Sequence, residues 1–405
     1  MRRVVVTGMG IWSCIGQDLQ TVTESLRQGR SGIIFDPRRI EYGLRSGLVG
    51  NVPRPNLKPL LPRKFRATMS EDAEYAYMAA RQAFEQAEID EDYLKNNEVG
   101  IIWGSDYITN GKVECCQIMR KERDASMVEP NTLFKSETSS ASMNLSSIFH
   151  LRGVNLSMAS ACASSLQALC TAATFIREGL QDVIIVGGAN EISPNGALML
   201  DAMDGVSLRN NNPSEASRPF DVDRDGLVSS GGAAALILEN YEHALKRGAD
   251  LLFEIKGYGF SADGKYFLDR DYHSIVVAME NAIKDSKINT NDIDYVNSSA
   301  SSGEWDDIYE AKALATLFSG TSVWVSSTES MTGHEHNMAG ASETIYTALM
   351  MRDDFIAPNI NVKELIPEAK SLNIALHTIY QPINIAMINN TGLGGINCSL
   401  IISKI

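Results

Sequence analysis

Short apolar and β-branched runs, most of them stopped by glycine and followed by a helical pattern, recur along the whole chain. They lack the polar alternation of a sheet with one wet face, so they read as strands buried on both sides. Residues 4–7 form the first run and turn at Gly8 and Gly10; residues 99–103 close on Gly104. Residues 154–158, 183–186, 253–255, 294–297, 323–326, 383–388 and 398–403 follow, the last two around a glycine turn. Between them, helical spacing marks 71–86, 163–178, 275–285, 307–317 and 340–351. In 163–178 the apolar stripe is Leu166, Leu169, Cys170, Ala173 and Ile176, and Gly179 is a natural stop. This alternation predicts an α/β fold with largely buried sheets. The charged stretch 239–250 (ENYEHALKRGAD) is the expected junction, giving units 1–245 and 246–405, with no visible sequence repeat or low-complexity linker.

Composition narrows the function. Lys and Arg number 36 against 50 Asp and Glu, a net charge of −14 over 405 residues. Such a chain is a poor match for nucleic acid, whose binding rests on Lys and Arg neutralising phosphates, or for an anionic membrane surface. No run of 18 apolar residues is present, so no bilayer span is expected, and VVVTGMG is too short for a signal peptide. Cysteines at 14, 115, 116, 162, 170 and 398 are too scattered for a disulfide framework, which points to the cytoplasm.

Four motifs invite chemistry and three of them weaken on inspection. TGMGIWS offers G-x-G without the third glycine or the acidic partner of a dinucleotide site, so a strand-to-loop turn fits better. His334-Glu335-His336 lacks the H-E-x-x-H spacing and has no Cys/His cluster near it in sequence, so no metal is expected. Cys115-Cys116 reads as a pair of small, partly buried residues in a helical pattern. The fourth, SMASACASSLQAL (157–169), places Cys162 where a strand ends and a helix begins. A helix N-terminus favours thiolate over thiol, and the small neighbours Ala159, Ser160, Ala161, Ala163 and Ser164 allow close approach of a substrate.

With that elbow in place, five ordered segments resemble the elongating β-ketoacyl–acyl-carrier-protein synthases of the thiolase superfamily. They are VVVTGMGIWSCIG, the cysteine elbow with VIIVGGAN, ASRPFDVDRDGLV (216–228), SSTESMTGH (326–334) and NNTGLGGINCSLI (389–401). The resemblance covers essentially the whole chain. It implies a five-layer αβαβα thiolase-like fold of two similar halves, a dimer, and no cofactor beyond substrates carried on the phosphopantetheine of an acidic acyl-carrier protein. In that family a cysteine takes the acyl group, and two histidines bind a malonyl thioester oxygen and promote CO₂ loss. The carbanion then attacks the acyl-cysteine. Cys162 matches the nucleophile and His334 the second histidine, while the backbone N–H groups of Cys162 and Leu393 match the oxyanion hole.

The departures from the family pattern are informative. Asn297-Ser298-Ser299-Ala300-Ser301-Ser302-Gly303 stands for N-A-H-G-T-S-T, so Ser299 replaces the first histidine. Ser301 keeps one pantetheine hydroxyl and Gly303 cannot supply the other. The family lysine of S-T-K-S-M-T-G-H is Glu329, while its acidic partner remains as Glu343, leaving two carboxylates that cannot comfortably both ionise in a buried site. Leu227 and Leu393 take the places of gatekeeping phenylalanines, and Gly394 joins Ser301 and Leu227 as a substrate-binding position. Glu335 and His336 stand where the family has apolar residues; turned inward, either could supply an acid or a donor in place of the lost histidine, but a place on the surface or behind the reacting groups is expected. Arg63, Lys64, Arg66 and Arg209 are the candidates for carrier-protein docking. Three readings stay open: a condensing enzyme slow in decarboxylation, an acyltransferase without decarboxylation, and a partner subunit of a ketosynthase heterodimer.

Overall fold

The computed structural model describes residues 2–266 and 271–405. Among them, one continuous sheet contains two sets of five strands. The first set is β1 (Val4–Trp12), β2 (Gly100–Gly104), β3 (Asn155–Met158), β4 (Val183–Asn190) and β5 (Gly232–Asn240), in spatial order β3-β2-β4-β5-β1. The second is β6 (Phe253–Ala262), β7 (Tyr295–Asn297), β8 (Trp324–Ser326), β9 (Ile385–Gly392) and β10 (Ile396–Ser403), in order β8-β7-β9-β10-β6, with Asn373–Ile374 beyond β8. Both sets follow one plan. The second strand is flanked by two parallel neighbours, and the remaining ladders are antiparallel. The sets join where residues 4–6 run antiparallel to residues 253–255. Thus the chain is built twice on one topology although its sequence shows no repeat.

Three helix layers enclose these sheets. The helices are α1 (Glu71–Gln86), α2 (Asn110–Glu122), α3 (Ser140–Phe149), α4 (Ser164–Arg177), α5 (Pro194–Ala202), α6 (Tyr272–Ser286), α7 (Asp306–Phe318) and α8 (Ala339–Arg352). Helices α4 and α8 fill the middle, packing Leu166, Leu169, Ile345 and Leu349 against Ile184, Leu236, Ile388 and Leu400 from the two strand sets. Helices α1 and α3 cover the outside of the first set, and α6 and α7 that of the second. Along β4, Ile184 and Val186 face the middle layer while Val183 and Ile185 face the outer one, which is why the strand reads as unbroken apolar sequence. Helix α8 is buried from Ala339 to Met351, as a helix between two sheets must be, and it buries the polar Ser342, Glu343, Thr344 and Thr347 along with its apolar residues. This is the thiolase-like αβαβα arrangement. No helix of the described residues is long and apolar enough to cross a membrane.

One expectation is corrected at the start of the chain. Gly8 and Gly10 do not turn it; they lie inside β1, with a register shift between Val6 and Gly8. A Cβ on Gly10 would sit 2.0 Å from the Ala79 carbonyl oxygen, so the glycines are there to let α1 approach. Beyond Val6 the β6 pairing stops, and Gln86 and Gln82 of α1 accept the N–H groups of Met9 (2.8 Å) and Ile11 (3.1 Å) instead.

Candidate active site

The chain leaves β3 at Met158 and enters α4 at Ser164 through an elbow that carries Cys162. Ala161, just before it, has φ 50°, a left-handed conformation that costs a non-glycine residue roughly 1–3 kcal/mol and recurs at functional turns. Hydroxyls hold this geometry. The Ser160 N–H donates to Ser164 Oγ (2.9 Å), which donates to the Ala161 carbonyl (2.6 Å), and Ser160 Oγ donates to Gln167 Oε1 (2.6 Å). No side chain caps α4, so the positive end of its dipole faces the elbow.

A second segment brings the imidazole. The His334 N–H donates to the Val228 carbonyl (2.7 Å), and the His334 carbonyl accepts from Ser230 N–H (2.9 Å). Its Nε2 lies 2.9 Å from Cys162 Sγ, and its Nδ1 lies 2.7 Å from Glu329 Oε1. Cysteine, imidazole and carboxyl therefore form one hydrogen-bonded line across two halves of the chain.

The third segment is the turn between β9 and β10. A Cβ on Gly392 would lie 3.0 Å from the Ser160 carbonyl oxygen and 3.5 Å from the Cys162 nitrogen, so the 392–393 peptide rests directly on the elbow. Ser299, just after β7, accepts the Thr391 N–H at Oγ (3.1 Å), and its own N–H donates to Glu310 Oε1 (2.9 Å). Its hydroxyl oxygen thus ties the β7 loop to the glycine turn.

All of this opens on one pocket of about 550 Å³. Cys162, Ser299, Ser301 and His334 stand in its wall with Leu227 and Leu393. Gly394 does not. Its φ is 85° and a Cβ there would meet nothing within 4 Å, so it shapes the open side of the turn. The roof was not foreseen: α5 contributes Leu198 and Met199, with Met203 just beyond it, and Tyr107 and Val113 join them. Its weak helical periodicity hid it, because one face meets solvent and another meets the cavity.

Of the two residues after His334, Glu335 lies as expected and His336 is a second correction. Glu335 lies behind the reacting groups, fully covered, accepting from Ser342 Oγ (2.6 Å) and Tyr346 OH (3.0 Å). His336, by contrast, lines the pocket, 2.9 Å from Ser229 Oγ through Nε2, with its ring edge-on to His334 at a centroid distance of 4.6 Å. One donor atom each of Cys162, His334 and His336 fall within 4.8 Å of one another, a set of ligand types that zinc accepts. The 2.9 Å contact of Cys162 with His334 is nevertheless that of a hydrogen bond. Two ligands on a tetrahedral zinc would stand roughly 3.5 Å apart.

The electrostatics are set by burial. It pushes Glu329 well above the usual carboxylate range, reinforced by the charges of Glu335, Asp307, Glu310 and Asp306. Oε2 of Glu329 and Oε1 of Glu343 have no hydrogen-bond partner among the described residues, which favours the neutral acid. Glu343 is driven up in the same way, by burial and then by Glu329, while Asn390 Nδ2 donates to it at 2.6 Å. Burial alone disfavours a charged His334, but Cys162, Asp306 and Glu335 outweigh it and leave its pKa raised.

The basic candidates sit apart from this chemistry. Arg63, Lys64 and Arg66 lie on a short surface helix, Arg63–Arg66, where Lys64 covers the Phe65 ring and Arg66 Nε donates to the Leu61 carbonyl (3.0 Å). Arg209 is paired with Asp225 at 3.3 Å.

A twice-built α/β chain whose elbow cysteine, relayed imidazole and backed-up glycine turn meet in one pocket defines a thiolase-like acyltransferase. Comparison with known proteins is specific within that class. Residues 1–244 match the β-ketoacyl synthase N-terminal domain, and residues 252–363 the β-ketoacyl synthase C-terminal domain. The chain belongs to the β-ketoacyl synthase family. It is 38% identical over 407 residues to 3-oxoacyl-[acyl-carrier-protein] synthase 1 of Haemophilus influenzae, covering 100% of this chain and 99% of that one. A β-ketoacyl synthase from Burkholderia phymatum superposes with a TM-score of 0.95 at 31% identity, covering both chains completely. A type II polyketide ketosynthase solved in complex with its acyl-carrier protein gives 0.89 at 25% identity, over 100% of this chain and 99% of that one.

Proposed function

We propose that the protein takes an acyl group onto Cys162 and condenses it with a malonyl thioester, in fatty-acid or polyketide chain extension. Both substrates ride on the phosphopantetheine of an acyl-carrier protein, and no other cofactor takes part. The Cys162–His334–Glu329 line carries this reading. His334 Nε2 accepts the cysteine proton, the thiolate attacks the incoming thioester, and the amides of Cys162 and Leu393 hold the tetrahedral oxygen. The carrier thiol then leaves with the proton.

Decarboxylation needs the opposite of that same nitrogen, a donor. The acid–imidazole pair provides it. While Glu329 and His334 together hold two hydrogens, one sits between the carboxyl and Nδ1 and the other is on Nε2. A lysine ammonium donating to Nδ1 would have the same effect, so Glu329 is a working replacement rather than a defect. One departure favours the reading without decarboxylation: where the family has its first histidine, Ser299 offers only a shorter, weaker hydroxyl donor, its oxygen accepting the Thr391 N–H. Incubation with an acyl-carrier thioester and carboxyl-labelled malonyl-carrier protein separates the two. Condensation releases one CO₂ per 3-oxoacyl product, whereas acyl transfer without CO₂ would overturn it.

Strand β3 lies at a free end of the sheet with Asn155, Leu156 and Ser157 exposed, an unpaired edge suited to a second copy or a related ketosynthase. Arg63, Lys64 and Arg66 suit an acidic carrier protein better than Arg209, whose charge Asp225 already offsets. Six free cysteines fit a reducing cytoplasm.

A further inference from the structure

Replacing the first histidine with Ser299 leaves the site one imidazole short, yet a second imidazole stands at the cysteine. His336 is 4% exposed, lines the pocket beside His334, and brings a donor atom within 4.8 Å of both Cys162 and His334. It is held there at a cost, with φ 49° in the left-handed region, and Ser229 Oγ fixes its Nε2. A side chain serving only to fill this largely apolar wall would not need to be polar. Burial, then the charges of His334 and Arg39, hold its pKa well below the ordinary histidine value. The ring is therefore neutral at physiological pH, with one N–H to donate, and its hydrogen bond with Ser229 selects which nitrogen carries it.

We propose that His336 supplies the second imidazole of the reaction, donating with His334 to the malonyl thioester oxygen in place of the ring that Ser299 lacks. The inference rests on the condensation reading. The bond from the malonyl Cα to its carboxylate breaks and CO₂ leaves. The electron pair forms an enolate whose oxygen takes the two imidazole N–H groups. The enolate carbon then bonds to the acyl carbonyl carbon, and the C–S bond to Cys162 breaks with its pair on sulfur. One carboxylate charge enters and one thiolate charge remains, so neither a proton nor an oxidant has to be supplied.

The test measures Cys162 acylation by intact mass and labelled CO₂ release in parallel, on wild type, His336→Leu, His336→Asn and the double variant Ser299→His/His336→Leu. Loss of one such donor typically slows its step about 10²–10³-fold. The expected result is a fall of that order in CO₂ release for His336→Leu, acylation within about threefold of wild type, and partial recovery in the double variant. Should His336→Leu fail to fold, His336→Asn, which keeps an N–H, is compared with its own Ser299→His double variant. Unchanged CO₂ release in folded His336→Leu, or in folded His336→Ala where the leucine variant does not fold, would overturn the proposal, as would acylation and CO₂ release falling together. Stoichiometric zinc on the wild type, absent from His336→Leu, would also overturn it by giving the ring to a metal. A wild type that acylates but never releases CO₂ would instead overturn the condensation reading.

Discussion

His334 must accept a proton at Nε2 when Cys162 is acylated and donate one from the same atom when malonate loses CO₂. The 2.7 Å contact from Nδ1 to Glu329 makes both possible: with one hydrogen on Nδ1 and the other kept by the carboxyl, Nε2 is free to accept, and with the carboxyl donating to Nδ1, Nε2 carries the other hydrogen and donates. Its raised pKa is what allows this, and the consequence is a pH limit. As pH rises through that value the pair loses a hydrogen. The remaining one goes to Nδ1 to serve the carboxylate, and Nε2 becomes a bare acceptor. Decarboxylation should therefore fall on the alkaline side while acylation persists. Glu329→Gln keeps an amide donor to Nδ1 and should lose that alkaline limb while staying within about tenfold of wild type. Glu329→Leu should drop CO₂ release by about 10–100-fold, on the scale seen when a partner orienting a histidine is removed. A pH profile of CO₂ release for the three proteins checks this, and an unchanged alkaline limb in Glu329→Gln would contradict it.

At the level of elements, strand β1 shows how packing overrides a local signal. Two glycines after an apolar run read as a turn, but the chain continues through Trp12 because α1 lies across them. Gly10→Val would push a side chain into the Ala79 carbonyl and displace the glutamines that cap Met9 and Ile11. Overpacking of this kind costs about 1–3 kcal/mol, and thermal unfolding should show the lowered midpoint. The alternating strands, the elbow at Cys162 and the glycine turn were legible because each is written in contiguous residues. Helices α6 to α8 were found to within three residues at each end from their apolar stripes. What was not legible depends on residues far apart. Ser229 and His334 together turn His336 inward, and α5 becomes a roof only once the cavity exists. The twofold plan is not written as a residue repeat and was expected only from the family resemblance. Strand order is fixed by buried volume, which unrelated apolar residues supply equally well.

Over the whole molecule, burial makes several interior carboxyls hold their protons more tightly than usual. Burial leads in raising Glu191, Asp307 and Glu335 to about 7 and Asp72 to about 6, and it also raises Glu329 and Glu343 well above the ordinary carboxylate value. Each binds its proton more tightly in the folded chain than at the ordinary value of about 4. The stability each contributes is therefore complete below about pH 4 and is lost as pH rises through the folded value. Carboxylates shifted the other way, such as Glu239 and Glu254, are ionised throughout this window, and His336 opposes the trend as one group against six. The net charge of −14 adds self-repulsion as protons leave. The unfolding midpoint should fall by several degrees between pH 5.5 and pH 8.5, and a flat or rising midpoint would contradict this account of the interior.

The central claim is that one cysteine carries the acyl group through condensation, and peptide-mapped intact mass tests it most directly. The protein is first loaded with an acyl-carrier thioester and then chased with malonyl-carrier protein. The account predicts a single adduct on Cys162 that disappears in the chase as 3-oxoacyl-carrier protein, two carbons longer, appears. An adduct on Cys14, Cys115, Cys116, Cys170 or Cys398, or one on Cys162 that survives the chase, would contradict it.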